Sequence, residues 1–244
     1  MFAPIKTFKT HHMSHPLHHA ISSSRKYGGR MEDYLPIHNW FDATKVSFYD
    51  MRHRALRHHT EGIHRSVQLF GETIKNSDGL EVSVQEIGEQ HCFEDLGHIP
   101  SMSDYLSLVD DEKWDKFIGR YNLGKLSWNP SKRWGGKEED YQPIIDWFEE
   151  PKKSYNKSSY RLIRQHSEGI FECEAELGTY IINSDGKMVP TRLISEYFCL
   201  SEIGAVLNVK EMLSQINRQA WIYASKEARK VVQMVNQNEL DKVS

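Results

Sequence analysis

The chain has 244 residues, 39% hydrophobic and 11% aromatic, a net charge of −3 and a pI near 6.5. That is enough apolar material for one large or two small cores, and the acid excess argues against a dedicated nucleic-acid binder. No apolar run is long enough to span a bilayer, the N-terminus has no signal-peptide core, and Cys92, Cys173 and Cys199 show no paired spacing. These features together point to a reducing cytoplasm and no membrane.

Residues 16–27 predict a short helix that stops at Gly28-Gly29. EDYLPIHNWF follows as a second helix, its Pro36 tolerated in the first turn. Asp42 is read as the N-cap of a long helix from about 43 to 70, ended by Gly71. ETIKNSDGLEVSVQEI predicts a hairpin, since Asp78-Gly79 supplies the positive φ that a tight turn needs. Ser101 or Ser103 opens a last helix through about 117.

The order then repeats. A shift of 107 residues lays GGRMEDYLPIHNWF (28–41) over GGKEEDYQPIIDWF (135–148) without gaps. RHRALRHHTEGI (52–63) falls over SYRLIRQHSEGI (159–170), and GETIKNSDGLEV (71–82) over GTYIINSDGKMV (178–189). The chain therefore reads as a tandem duplication. Copy one spans 14–116 and copy two 121–223, with a leader at 1–13 and a polar helical tail at 224–244. The short join predicts two copies packed as a pseudo-dimer about a twofold axis. Asn208 and Glu211 of copy two resemble a capping box. The expected fold class is α+β, helix-rich, with one hairpin per copy.

The two copies differ sharply in histidine. Twelve of thirteen lie at or before His98, and only His166 lies beyond. His59 and His166 are the shared pair. On a helical wheel they sit mid-stripe among Ala55, Ile63 and Val67, so each reads as a buried, hydrogen-bonded histidine, with Glu89 and Glu196 as candidate partners. Arg54, Arg57 and Glu61 recur as Arg161, Arg164 and Glu168, and read as an i,i+4 ladder. Others do not recur: His15, His18, His19, His38, His53, His58, His64 and His91 face Asn122, Lys125, Leu126, Ile145, Tyr160, Gln165, Phe171 and Phe198. A requirement of the fold would bind both copies, whereas a requirement of a site need bind only one.

Histidines with one or two carboxylates suit a divalent metal ion such as Zn, Fe or Mn. The candidate ligands are His15, His18, His38, His53, His91 and Asp95. A metal would make hydrolysis by activated water the natural reaction, with Glu61 or Asp50 as the general base. The Asn76–Gly79 tip is too short for a calcium loop and recurs in copy two, so it reads as a turn. Cys92 and Cys199 read as core residues.

MSHPLHHAISS, DYLPIHNWFD, DMRHRALRHHTEGI, FGETIKNSDG and IGEQH resemble an uncharacterised bacterial and phage domain family of unknown function. Its members are about one copy long and open with Met-x-His-Pro-x-His-His, which implies that Met13 is an original start and residues 1–12 an extension. The resemblance implies domain limits and no reaction. Two further readings stand beside the metal protein. One is a non-catalytic interaction module that docks through Trp40, Trp114, Tyr160 or Phe171. The other is a nucleic-acid binder using Arg52, Arg54, Arg57 and Arg65.

Overall fold

In the computed structural model the described residues are 15–48 and 50–217. Copy one runs α1 (Pro16–Tyr27), α2 (Met31–Asp42), two 3-10 turns (Ala43–Val46 and Met51–Leu56), α3 (Thr60–Phe70), β1 (Thr73–Lys75), β2 (Glu81–Ser83), α4 (Val84–Leu96), α5 (Met102–Leu106) and α6 (Asp111–Gly119). Copy two repeats the order: α7 (Pro130–Trp134), α8 (Gln142–Glu149), α9 (Pro151–Ser154), a 3-10 turn (Ser158–Ile163), α10 (Ser167–Leu177), β3 (Tyr180–Ile182), β4 (Met188–Pro190), α11 (Thr191–Glu202) and α12 (Val209–Leu213). The fold is α+β and helix-rich, with two small antiparallel hairpins, Ile74 opposite Val82 and Ile181 opposite Val189. The leader and the polar tail lie outside the described residues, as does the end of copy two.

Each copy has its own apolar centre, Tyr34, Ile37, Phe41 and Ile87 in the first and Tyr141, Ile144, Phe148 and Ile194 in the second. A third core joins them, with Leu96, Leu106 and Trp114 against Leu162, Ile203 and Leu213. Val109 bridges antiparallel to Ile216, its own equivalent under the 107-residue shift. A residue meeting its equivalent antiparallel is what a twofold relation produces. The Asn208/Glu211 capping box is formed, and Cys92, Cys173 and Cys199 are buried thiols.

The hairpin tip is a docking element as well as a turn. Asp78 Oδ2 accepts from Gly29 N–H at 2.6 Å, and Asp33 Oδ2 accepts from Ser77 N–H at 2.9 Å. A Cβ on Gly29, whose φ is +67°, would lie 2.5 Å from Asp33 Oδ2 and 2.9 Å from Asn76 Cβ. The double glycine therefore ends α1 and lets the hairpin close on α2.

The expected long helix from 43 to 70 does not form. Its place is taken by the two 3-10 turns and α3, and Asp42 closes α2 instead of capping a new helix. The break is at His59, whose backbone is extended (φ −157°, ψ 170°) and whose Nδ1 accepts from Gly62 N–H at 3.0 Å. His59 is buried as expected, but as an N-cap rather than as a mid-stripe residue. Glu89 is not its partner; that carboxylate accepts from Gln85. Gly62 permits the cap, because a Cβ there would sit 1.9 Å from the Arg57 carbonyl oxygen. Without the helix the i,i+4 ladder has no geometry. Arg54 pairs with Asp95 and Arg57 reaches across to Glu172 of copy two.

His166 caps α10 in the same way. Nδ1 accepts from Gly169 N–H at 3.1 Å, so Nε2 carries the hydrogen and donates to the Ile163 carbonyl at 2.9 Å. A second proton would face the Gly169 donor. Burial pushes its pKa from 6.5 down to about 4. The unfolded chain then binds this proton more tightly, so the stabilisation is complete above about pH 6.5 and is lost as pH falls toward 4. Urea unfolding at pH 7 and pH 4.5 is expected to show a loss about 2 kcal/mol larger in the wild type than in His166→Asn, whose amide oxygen keeps the cap. Equal losses in the two proteins would remove His166 as the source.

Candidate metal centre

Four copy-one elements converge on one buried cluster. α1 supplies His19, α2 supplies His38 and Asp42, the loop before α3 supplies His53, Arg54 and His58, and α4 supplies His91, Glu94 and Asp95. His38–Asp42 and His91–Asp95 are each i,i+4 pairs, so both members lie on one helix face and point the same way. His19, His38, His53, His58 and His91 are all 0% exposed, and Asp42 and Asp95 nearly so. That is an unusual load of titratable groups for an interior.

At the centre, Asp42, His58, His91 and Asp95 offer ligand atoms that all lie within 4.8 Å of one another. His58 Nε2 is 3.1 Å from His91 Nε2, 3.5 Å from Asp42 Oδ1 and 3.3 Å from Asp95 Oδ2. His91 Nε2 is 3.8 Å from Asp42 Oδ1 and 4.0 Å from Asp95 Oδ2. Tetrahedral ligands at metal–ligand distances of about 2.0–2.2 Å stand about 3.3–3.6 Å apart, so these edges bracket the required size. Two imidazoles and two carboxylates are also a donor set that suits Zn, Fe or Mn.

The electrostatics are organised around the carboxylates. Asp95 Oδ2 is 2.9 Å from Arg54 Nη2, and Asp95 Oδ1 is 3.4 Å from His19 Nε2. Burial alone would raise the Asp95 pKa, but hydrogen bonds and charge from His19, His58 and Arg54 hold it far below the usual carboxylate range. Asp42 is held down in the same way by His58 and by Lys45, whose Nζ is 2.7 Å away. Burial would lower His19, yet Asp95 and Glu94 raise it to about 9, and its Nδ1 donates to Glu94 Oε2 at 2.6 Å. Burial, aided by the His19 charge, takes His38 down to about 3 and His91 well below its ordinary value. These two rings are neutral.

The expected ligands divide into three groups. His91 and Asp95 belong to the converging four. His38 and His53 border them: His38 bonds Ser23 and His91, and His53 Nδ1 donates to the Asp50 carbonyl at 2.6 Å. His15 and His18 lie apart, exposed at the start of α1, where His15 Nδ1 accepts from Leu17 N–H.

The two expected bases are engaged elsewhere. The Asp50 carboxylate pairs with Arg52. Glu61 accepts from Met102 N–H and the Thr60 hydroxyl and lies 3.2 Å from His59 Nδ1. Burial would raise the Glu61 pKa, and those contacts hold it well below the carboxylate range. Arg52, Arg54, Arg57 and Arg65 each pair with a carboxylate, and Trp114 and Tyr160 are core residues, whereas Phe171 is half exposed.

Asp42, His58, His19 and Glu94 complete the cluster and were not among the expected ligands. The spacing His-x-x-x-Asp, present at His38/Asp42 and again at His91/Asp95, is the signal that could have found Asp42 together with Asp95. Copy two replaces both pairs, by Ile145/Glu149 and Phe198/Glu202, and its carboxylates turn to protein partners. Glu202 pairs with Arg161 at 2.7 Å, and Glu149 lies 3.4 Å from the Tyr160 hydroxyl.

Among the described residues no helix is long and apolar enough to cross a membrane. No curated protein and no solved structure matches the chain. A family model described as a domain of unknown function, DUF6915, matches residues 14–115 and again 126–222, so the chain belongs to that family and carries its domain twice.

Proposed function

We propose that the protein binds one divalent transition metal in copy one, through Asp42, His58, His91 and Asp95, and that copy two is its structural partner. The observation that carries this reading is the convergence of four buried donor atoms within 4.8 Å, at edges that suit one ion. A histidine cluster confined to one of two otherwise matched copies supports it further. The site is closed by protein on all sides, and closed four-ligand sites are characteristic of structural ions. A hydrolytic centre would need an open position for water, and neither Glu61 nor Asp50 faces the four donors. The ion therefore holds α2, the His58 loop and α4 together.

One observation favours a second reading, a metal-free hydrogen-bonded cluster. Asp95 already has Arg54 and His19 as cationic partners. Metal analysis by mass spectrometry, on untagged protein purified without added metal, separates the two. About one equivalent per chain, lost in Asp42→Asn, is expected. Protein that stays empty after reconstitution with Zn, Fe(II) and Mn(II) would leave the second reading standing.

A further inference from the structure

The histidines touch nitrogen to nitrogen, and one end of that line decides which nitrogen holds each proton. Glu94 Oε1 is a carboxylate oxygen and only accepts. Gln90 Nε2 donates to it at 2.7 Å, which turns Gln90 Oε1 toward Ser23. The Ser23 hydroxyl donates to that oxygen at 3.2 Å, so Ser23 Oγ accepts from His38 Nε2–H at 2.9 Å. His38 touches no carboxylate, and its second nitrogen, Nδ1, keeps a lone pair. His91 Nδ1 lies 3.0 Å from it, so the proton between them belongs to His91. His91 Nε2 is left with a lone pair aimed at the centre, 3.1 Å from His58 Nε2.

We propose that Glu94, Gln90, Ser23 and His38 are positioning residues that hold His91 as its Nδ1–H tautomer, so that Nε2 faces the centre as a ready metal donor. The purpose rests on the metal reading above; the tautomer does not. Without this line His91 would gain by turning an Nε2–H toward Asp42 and Asp95, which would block the ion. Such outer partners fix ring orientation and tautomer at metal centres generally. Copy two supports a single shared purpose, because the line vanishes there as a whole. Ser23, His38, Gln90, His91 and Glu94 face Pro130, Ile145, Tyr197, Phe198 and Ser201, while Arg54 stays arginine as Arg161 and Asp42 and Asp95 stay acidic as Glu149 and Glu202.

The test is long-range 1H–15N NMR of the full chain with labelled histidine, metal-free, beside Zn and Mn titrations. The expected wild type has neutral His38 as Nε2–H and neutral His91 as Nδ1–H. Ser23→Ala is expected to move His91 toward Nε2–H and weaken metal binding about 10–100-fold, with Ser23→Thr restoring both. Gln90→Leu, at the partly exposed end of the line, is the second variant should Ser23→Ala fail to fold. His91 found as Nε2–H in the wild type would overturn the proposal, as would weaker binding with an unmoved tautomer. A tautomer that shifts in Ser23→Ala, in a protein that binds neither metal, would sustain the positioning role and overturn the metal reading.

Discussion

Returning a divalent metal to chelator-treated protein is expected to raise the melting temperature by on the order of 10 °C. An ion that binds only the folded chain stabilises it by about 4 kcal/mol at a thousandfold excess over its dissociation constant. A domain of roughly 150–250 residues gains about 2–4 °C per kcal/mol. The effect should reside in copy one, since the ligands join α2, the loop before α3 and α4 there. Asp42→Asn keeps the side-chain shape but removes a charged donor, and should abolish most of the shift. The shift should also shrink as pH falls, because a metal site must shed the protons that its ligands take up in acid. Differential scanning calorimetry with Zn, Fe(II) and Mn(II) in turn checks this. Identical melting with and without each metal would assign the cluster to hydrogen bonding alone.

The 107-residue repeat places α1, α2, the hairpins and their copy-two counterparts, because glycine stops, proline starts and Asp-Gly turns are local signals. The comparison of copies also pointed to the half that holds the buried histidine cluster, since His38, His91 and Asp95 are in or beside it. The stretch RHRALRHHTEGI misled because its apolar spacing satisfies a helical period. What breaks it is a histidine acting as an N-cap, with a glycine three residues later that fits under the Arg57 carbonyl. That device depends on a backbone approach that no periodicity encodes. His58 reaches the centre through the same break, since the loop before α3 carries it against His91 and Asp42. His19 and Glu94 meet across 75 residues, and only the packing of α1 on α4 brings them together.

Arg54→Met is expected to cost about 3 kcal/mol or more in metal-free protein, against about 1 kcal/mol or less for Arg161→Met. The two arginines are equivalents and each pairs with the equivalent acid, but the Arg54 and Asp95 side chains are 4% and 1% exposed, whereas those of Arg161 and Glu202 are 22% and 29% exposed. Removing one partner of a buried pair strands the other charge away from water. At the partly exposed pair, water takes over the role of the lost cation. Methionine keeps most of the arginine stem, so the difference between the variants reports charge and not lost packing. Urea unfolding of both, with and without metal, extends the test to the centre itself. An ion bound to Asp95 would supply the positive charge that Arg54→Met removes, so the penalty should be smaller in metal-loaded than in metal-free protein. A penalty that is the same in both states would mean that Asp95 is held by its protein partners alone and is not a ligand, leaving the ion, if bound, to Asp42, His58 and His91.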